Sequence, residues 1–451
     1  MPPGSVEISG MGIPITQRLV AALPDAKTQE TIQSLRPTGR VDVLWRIERS
    51  SPIEPDLTTS LDLRLAGCQV NYEKFSYPLS NVTGWVRQRN KVWNFSELES
   101  RDARGNVIVT GSGSLSPSGA GHRFALQLKG NRVPLDERLY AGMPAATQGV
   151  WDFLRPRGQI NFTTTITTEP GSSEPQVQLS MTPHERSVSI EPPLSGNGYR
   201  YRLERVDGQF DWVNNLLTIR GARAEHGRTS YATDGTWRLN PGQSWQLDLT
   251  RLYADRLAFN HDLLLSSPPG LRNVLETIQP RGGFDLANSK LRVVQPLGSG
   301  AIAQASWDVS LACHQASFIA GVPIEGVSGI VRLIGSSDGV SAHTGGELDL
   351  DSLVWNDLQM TRVRGPIWAD GNQCLIGEGA SRELGAKPRK LEAVAYNGGI
   401  KINSQVLHGG RPRYGLSIQM DKVDVARMAA EWMQRPESIE GLMEGRLEFE
   451  G

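Results

Sequence analysis

The sequence is poor in hydrophobic residues for its length. Of its 451 residues only 38% are hydrophobic and 7% are aromatic, whereas 48 are glycine and 27 are proline. One thick core in a chain of this size would need more apolar side chains, so the composition argues against a single large globule. It favours a thin, sheet-rich protein that exposes much of each sheet to water.

Several kinds of site are also missing from the sequence. The cysteines Cys68, Cys313 and Cys374 are far apart and form no CxxC pair, so they predict free or buried thiols rather than disulfides or a zinc site. The net charge is −1 and the sequence has no block of like charges, so it shows no basic patch of the kind that binds nucleic acid. Neither a Walker-type phosphate loop nor an HExxH motif occurs. We therefore expect no cofactor, no metal and no nucleic-acid partner.

Targeting signals are absent from the sequence as given. The start, Met-Pro-Pro-Gly-Ser, lacks the basic and apolar parts of a signal peptide, and no run of 18 apolar residues exists. The end, 441–451, resembles the entry into another strand. We interpret the sequence as a piece of a longer protein.

A motif of the form Leu/Ile-x-Pro-x-Gly recurs about every 120 residues. Its prolines are Pro37, Pro156 and Pro280, and in each copy a strand pattern follows. About 50 residues after each proline a glycine is predicted to open a further strand, at Gly84, Gly208 and Gly329. Self-similarity at a fixed period indicates an array of one structural unit. The predicted repeats are 1–120, 121–243, 244–412 (with an insertion) and a truncated fourth at 413–451.

Period-two alternation of apolar and polar residues dominates the rest of the chain. It occurs at 41–48, 61–65, 160–166, 177–181, 307–311, 400–402 and 416–420. Such alternation predicts antiparallel sheet with one wet face. Helices are expected only at the joints between repeats, at roughly 25–35, 135–154, 255–278 and 423–435. The fold class is thus mainly β, with short helices at the joints.

One acidic cluster stands out. Glu347, Asp349 and Asp351 alternate with Leu348 and Leu350, so the three carboxylates share one strand face. They could hold calcium or supply an acid–base pair. At about 7 Å apart they are too widely spaced to reach one ion without a bend. We expect a solvated outer face.

The repeat resembles the AsmA-like family of bacterial envelope proteins, to which TamB-like proteins belong. The resemblance rests on a strand, a short helix, the proline stop and glycine-marked strands, and above all on 399–402, 414–418, 423–425 and 439–449. It implies an elongated, twisted, half-pipe sheet with an apolar groove that holds acyl chains and supports lipid transport between membranes. It also implies a periplasmic protein anchored to the inner membrane by a segment outside this sequence. Its partners would be phospholipid or another envelope lipid, and inner- and outer-membrane proteins.

The inward strand faces supply the predicted groove lining. These residues are Val43, Trp45, Leu63, Leu126, Phe162, Leu179, Leu247, Trp307, Leu333, Ile402 and Ile418. The competing interpretation packs them against a second sheet as an ordinary sandwich core. An alternative function is a structural or assembly factor for outer-membrane components that pairs client strands at its sheet edges. A carbohydrate-binding repeat is less favoured because the tryptophans are scattered, and an enzyme is least favoured because no polar constellation converges.

Overall fold

The computed structural model is mainly β. It describes residues 4–22, 26–49, 57–72, 75–118, 121–143, 145–169, 175–193, 198–240, 244–267, 272, 275–276, 278–295, 303–319, 323–355, 357–407, 413–433 and 440–451. Within these ranges, 69% of the residues lie in strands and 12% lie in helices. The strands form a single long antiparallel sheet of 24 strands. The predicted fold class is confirmed at this level.

The strands follow one another along the chain, most of them joined by short turns. They are β1 (Gly4–Pro14), β2 (Arg40–Arg49), β3 (Thr58–Tyr72), β4 (Phe75–Arg89), β5 (Val92–Arg101), β6 (Val107–Ser118), β7 (Gly121–Pro134), β8 (Gln159–Thr168), β9 (Gln176–Pro183), β10 (Val188–Ile190), β11 (Leu203–Val213), β12 (Leu216–His226), β13 (Thr229–Leu239), β14 (Trp245–Asp255), β15 (Arg281–Gln295), β16 (Gln304–Ile319), β17 (Pro323–Ser337), β18 (Ala342–Trp355), β19 (Leu358–Asp370), β20 (Gln373–Ile376), β21 (Leu391–Ala395), β22 (Gly398–Leu407), β23 (Arg413–Asp424) and β24 (Leu442–Glu450). Every predicted alternating segment lies in one of these strands.

Helices are short and few in the described ranges. They are α1 (Gln17–Ala21), α2 (Ala26–Ser34), α3 (Glu137–Gly142), α4 (Ala145–Leu154), α5 (His261–Ser266), α6 (Glu378–Glu383) and α7 (Val425–Met433). Side-chain caps mark the starts of α1, α3 and α5, because Thr16, Asp136 and Asn260 accept hydrogen bonds from the free amides of their first turns. Asp424 does the same for α7, since its Oδ1 accepts from the N–H of Arg427 at 3.2 Å.

The helix predictions need four corrections. Helix α1 was not predicted, and the predicted helix 135–154 is two helices, α3 and α4; Pro144 lies outside the described residues. The helix predicted at 255–278 begins instead at His261, since β14 continues to Asp255, and α5 ends at Ser266 because Ser267 has an extended backbone. Part of the remaining prediction lies outside the described ranges. Helix α6 lies away from the predicted joints. It sits between β20 and β21, both of which pair with β19 and with β22.

Contacts divide the chain into two compact units. The first unit is Met1–Ile190 with Arg205–Thr218, and the second is Glu191–Glu204 with Ile219–Gly451. Among its described residues the first unit has two small cores, one around Val41, Cys68 and Val82 and one around Tyr77, Val109 and Val133. The second unit has one larger core that includes Phe284, Cys313, Leu350, Val363 and Ile400.

The three proline stops share one backbone conformation. The residue before each proline and the following glycine both have positive φ, although a residue before proline normally prefers an extended backbone. The φ angles are +43°, +45° and +44° at Arg36, Arg155 and Gln279, and +118°, +117° and +107° at Gly39, Gly158 and Gly282. The glycines expected to open strands lie instead inside β4, β11 and β17, with φ of +135°, +128° and +127° at Gly84, Gly208 and Gly329.

We expect Gly158→Ala to destabilise the first unit by about 2 kcal/mol, because its φ is costly for any other residue. A Cβ at this position would also lie 2.4 Å from the carbonyl oxygen of Ser187 and 2.9 Å from Cα of Val188. The control is Gly149→Ala in helix α4, where a Cβ would meet nothing within 4 Å. This control should be neutral or stabilise by up to about 1 kcal/mol. Denaturant unfolding measures both variants, and equal effects would refute the argument.

Many strands carry a bulge in which a long polar residue adopts positive φ. Glu97, Arg132, Arg251, Gln315 and Lys422 have φ between +50° and +55° at points where the strand register shifts. A bulge adds one residue to one strand, which bends the strand and increases its twist. The extra residue also keeps apolar side chains on one face beyond the bend: Leu65 and Cys68 of β3 pack in the same core.

Candidate functional site

Cross-strand pairing places the predicted groove residues of the first unit on one face of its sheet. Residues directly opposite each other in antiparallel strands point to the same side. One row of such partners is Gly10, Val43, Leu63, Val86, Phe95, Gly113, Leu126, Ile166 and Val177. The neighbouring row is Ile8, Trp45, Leu61, Gln88, Trp93, Leu115, Phe124 and Thr168. We call these two rows and their same-side neighbours the first apolar face.

Phe162 and Leu179 belong to the same face. Thr164 of β8 is opposite both Leu128 of β7 and Leu179 of β9, and Phe162 is two residues from Thr164. Leu128 is in turn two residues from Leu126 on β7. The structure therefore brings together all six predicted residues of this unit, which are Val43, Trp45, Leu63, Leu126, Phe162 and Leu179.

The opposite face of the same strands is polar. One of its rows is Leu44, Asp62, Arg87, Asn94, Ser114, Ala125 and Thr167. Trp85 is the aromatic exception here, and the guanidinium carbons of Arg64 and Arg87 lie 5.9 and 4.7 Å from its ring centroid. Such cation–π contacts allow an aromatic ring to sit on a charged surface. The two faces thus differ sharply in chemistry.

The first apolar face is only partly covered. Trp45 is 40% exposed and Ile8 is 52% exposed, while Val43, Leu63, Leu126, Phe162 and Leu179 are half-buried. Leu19 of α1 and Leu139 of α3 pack against the two small cores of this unit. An apolar surface that is partly exposed in this way can bind apolar ligands, because the contact removes apolar surface of both partners from water.

The predicted groove residues of the second unit also share one face, but their environments differ. One row is Gly235, Leu249, Leu291, Trp307, Gly335, Thr344 and Ala369, and the next is Val309, Leu333, Gly346, Ile367, Ile376, Ser404 and Leu416. Leu247, Trp307 and Leu333 are half-buried. Ile402 and Ile418 are 7% and 4% exposed and belong to the core, where protein side chains already occupy the space.

Trp307 is held more firmly than Trp45. Its Nε1 donates a hydrogen bond to Oγ1 of Thr344 at 3.2 Å. Its ring lies over Gly335, where a Cβ would come within 2.6 Å of two ring carbons. The absence of a side chain at Gly335 therefore makes room for the indole.

The acidic cluster lies on the polar face of the second unit. Glu347 forms an ion pair with Arg389, and Asp349 Oδ1 is 2.9 Å from Nε of Arg364, its cross-strand partner. Asp351 is exposed. The two arginines balance two of the three carboxylates, a feature that strand alternation alone did not reveal.

We expect replacement of Glu347, Asp349 and Asp351 by the corresponding amides to leave the melting temperature nearly unchanged. Each exposed ion pair contributes at most about 1 kcal/mol. Differential scanning fluorimetry with and without calcium makes the measurement. The control is Asp351→Asn alone, which removes one negative charge but breaks neither of the two ion pairs. A calcium-dependent rise that the triple variant loses would contradict this interpretation.

A polar cluster in the second unit was missed by sequence reasoning. The Tyr199 hydroxyl donates to Oδ1 of Asp262, and His226 Nε2 lies 3.3 Å from Oδ2 of the same carboxylate. His226 Nδ1 is 2.7 Å from the carbonyl oxygen of Arg202, and its ring stacks on Tyr201. The Tyr199 hydrogen bond, with help from His226, lowers the pKa of Asp262. These contacts fasten the first turn of α5 to segment 199–202.

The cysteine thiols are free, as predicted, and two of them are buried. Cys68 lies in one core of the first unit and Cys313 in the core of the second, while Cys374 is half-buried. Burial in apolar surroundings raises the pKa of Cys313 and of Cys374 to about 11 each, because the thiolate would lose its hydration. Neither group has the character of a nucleophile.

Comparison of the chain with protein-family models, with curated proteins and with solved structures gives no match. In the part of the chain that the structure describes, no helix is long and apolar enough to cross a membrane.

Proposed function

We propose that this chain is a non-enzymatic, AsmA-like envelope protein whose sheet forms an apolar groove for lipid acyl chains. In this role it would support lipid transport between the membranes of a bacterial envelope, in the periplasm, held at the inner membrane by a segment outside this sequence. The single observation that carries the proposal is the first apolar face. It joins six predicted residues in continuous rows while the reverse side of the same strands is polar.

The chemistry of an acyl chain suits this face. Each methylene group removed from water contributes about 0.8 kcal/mol, so a chain that covers several rows gains enough to stay bound. Rows of Val, Leu, Ile, Phe and Trp side chains offer contact without directional polar groups. A face of this kind holds a lipid firmly but does not fix its position along the strands, which suits transport.

Repetition is the second support. The shared φ angles at the three proline stops and at the three mid-strand glycines are what copies of one unit would have. We propose that the repeats of about 120 residues extend one groove by adding strands of the same design. The bulges favour a groove over a flat sheet, because they bend the strands.

The proposal has a direct first test. Native mass spectrometry of the purified protein should show phospholipid that dissociates only at raised collision energy. Protein delipidated by unfolding and refolding should regain the adduct from vesicles. A protein that carries no lipid and takes none up would contradict the proposal. The alternative, an assembly factor that pairs client strands at its sheet edges, stays a prediction.

A further inference from the structure

A polar cavity lies in the first unit, separate from the two rows of the first apolar face. Its volume is about 880 Å³. It is lined by the β5–β6 turn, by Asn131 and Arg132 of β7, by Gln159 of β8 and by His184, Glu185 and Ser187 after β9. Cavities of roughly 300–1,000 Å³ are the usual size of small-molecule sites.

Two arginines in this lining are available to a ligand. In the described part of the chain, the guanidinium groups of Arg104 and Arg132 make no hydrogen bond or ion pair, and both residues are exposed. Arg101, also in the lining, is already paired with Glu99 at 2.5 Å. The bulge in β7 places Arg132 here, because its backbone has φ of +54° and its N–H donates to Oδ1 of Asn161 at 3.0 Å.

The two carboxylates of the lining form no ion pair with Arg104 or Arg132 among the described residues, although hydrogen bonds from Asn106 and, to a smaller extent, the charge of Arg104 lower the pKa of Asp102. Asp102 Oδ1 accepts from the backbone N–H groups of Arg104 and Asn106 at 2.9 Å, and Oδ2 accepts from Nδ2 of Asn106 at 3.1 Å. Asp102 is therefore used mainly to close the β5–β6 turn. The side chain of Glu185 is 76% exposed and lies 3.6 Å from Nε2 of His184. Because Arg101 is paired with Glu99, the charges that remain in the lining are Arg104 and Arg132 against Asp102 and Glu185.

Neutral donors complete the lining. The side-chain amides of Asn131 and Gln159 lie beside the arginines. Asn106 and Ser187 also line the cavity, but the Asn106 amide donates to Asp102 and the Ser187 hydroxyl donates to the carbonyl oxygen of Gln159 at 3.4 Å. Guanidinium groups match the oxygens of a phosphate in pairs, and amides and hydroxyls bind the remaining oxygens or a sugar or polyol.

We propose that this cavity binds a phosphate ester of a polar alcohol through Arg104 and Arg132. The volume exceeds what a bare phosphate fills, which favours an ester over inorganic phosphate. The site does not depend on acyl chains at the first apolar face. It does adjoin apolar surface, since Ile108 lines the cavity and also packs in the core cluster that contains Phe162. The ester could thus be a free polyol phosphate or the head group of a phospholipid.

Isothermal titration calorimetry with sn-glycerol 3-phosphate and with dihexanoyl phosphatidic acid tests the proposal, with glycerol as the uncharged control. The double variant Arg104→Gln, Arg132→Gln should raise the Kd of both phosphate ligands by at least about tenfold, because each lost charge-assisted hydrogen bond weakens binding. The matched control is Arg123→Gln, an exposed arginine of β7 paired with Glu169 outside the cavity, which should change the Kd less than twofold.

The two ligands also identify the source of the phosphate. Equal affinity supports a free ester, whereas tighter binding of phosphatidic acid that is lost in Phe162→Ala supports a head group. Absence of binding by either ligand, or equal binding by the double variant and the wild type, overturns the proposal. Either result leaves the acyl-chain proposal standing, because that proposal is tested separately, by the amount of lipid recovered with Trp45→Glu.

Discussion

Phe284→Ala is expected to lower the free energy of unfolding of the second unit by about 3–5 kcal/mol. Phe284 is 1% exposed and packs edge-on against Phe259 and Phe318, with ring centroids 4.9 and 5.7 Å away. Truncation would leave a cavity that neighbouring strands cannot fill. Denaturant unfolding, monitored by hydrogen exchange of the backbone amides in β15 and β16, measures the loss.

The matched control for this change is Phe449→Ala in β24. Phe449 is 43% exposed, and its described ring contact is with Trp355 at 6.4 Å. Less apolar area is buried there, so we expect a loss of about 1 kcal/mol. Equal losses from the two substitutions would show that the core is not where the structure places it.

Trp45→Glu is expected to abolish most of the lipid recovered with the purified protein while the β-type circular dichroism spectrum persists. A carboxylate in the first apolar face would have to lose its hydration beside an acyl chain without a partner, which costs several kcal/mol. Because Trp45 is 40% exposed in the free protein, its replacement costs the fold little. Quantitative lipid extraction from equal amounts of protein makes the measurement.

Trp85→Glu is the matched control, since it makes the same change on the reverse face of the same sheet, two strands away in β4. There the carboxylate would lie between Arg64 and Arg87, and lipid recovery should stay at the wild-type level. Trp307→Glu, in contrast, should lower stability as well as lipid content, because that indole is hydrogen-bonded and packed over Gly335. Equal lipid loss in Trp45→Glu and Trp85→Glu would exclude a specific face.

The sequence was a good guide to strands and to the side that each strand presents. Alternation at Val43, Trp45 and Ile47 is enough to assign a face, because side chains of a strand point to opposite sides in turn. The proline stops were equally informative, since Gly158 and its equivalents require a backbone that other residues rarely adopt.

Bulges escaped prediction because nothing in the residue type marks them. Glu97, Arg132 and Lys422 adopt positive φ, which is uncommon outside glycine and asparagine. Their conformation follows from pairing with neighbouring strands, a long-range effect. Helix α6 escaped because six residues are too few for a helical period. Its place is fixed instead by Asn403, whose Oδ1 accepts from the N–H of Glu378 at 2.9 Å.

Burial was the least predictable property of the groove residues. Trp45 and Ile418 obey the same alternation, yet one is 40% exposed and the other 4%. The difference depends on which strands and helices pack over each site, and a periodic pattern carries no information about them. The polar cavity of the first unit and the Asp262 cluster were missed for the same reason, because their residues meet only in three dimensions.

Photocrosslinking from position 45 tests the central claim most directly. A photoreactive phenylalanine analogue is placed at Trp45 in one protein and at Trp85 in another, and both are illuminated in living bacterial cells. We expect mass spectrometry to find a phospholipid adduct at position 45 and none at position 85. An adduct at position 85 alone, equal adducts at both positions, or none at either would contradict it.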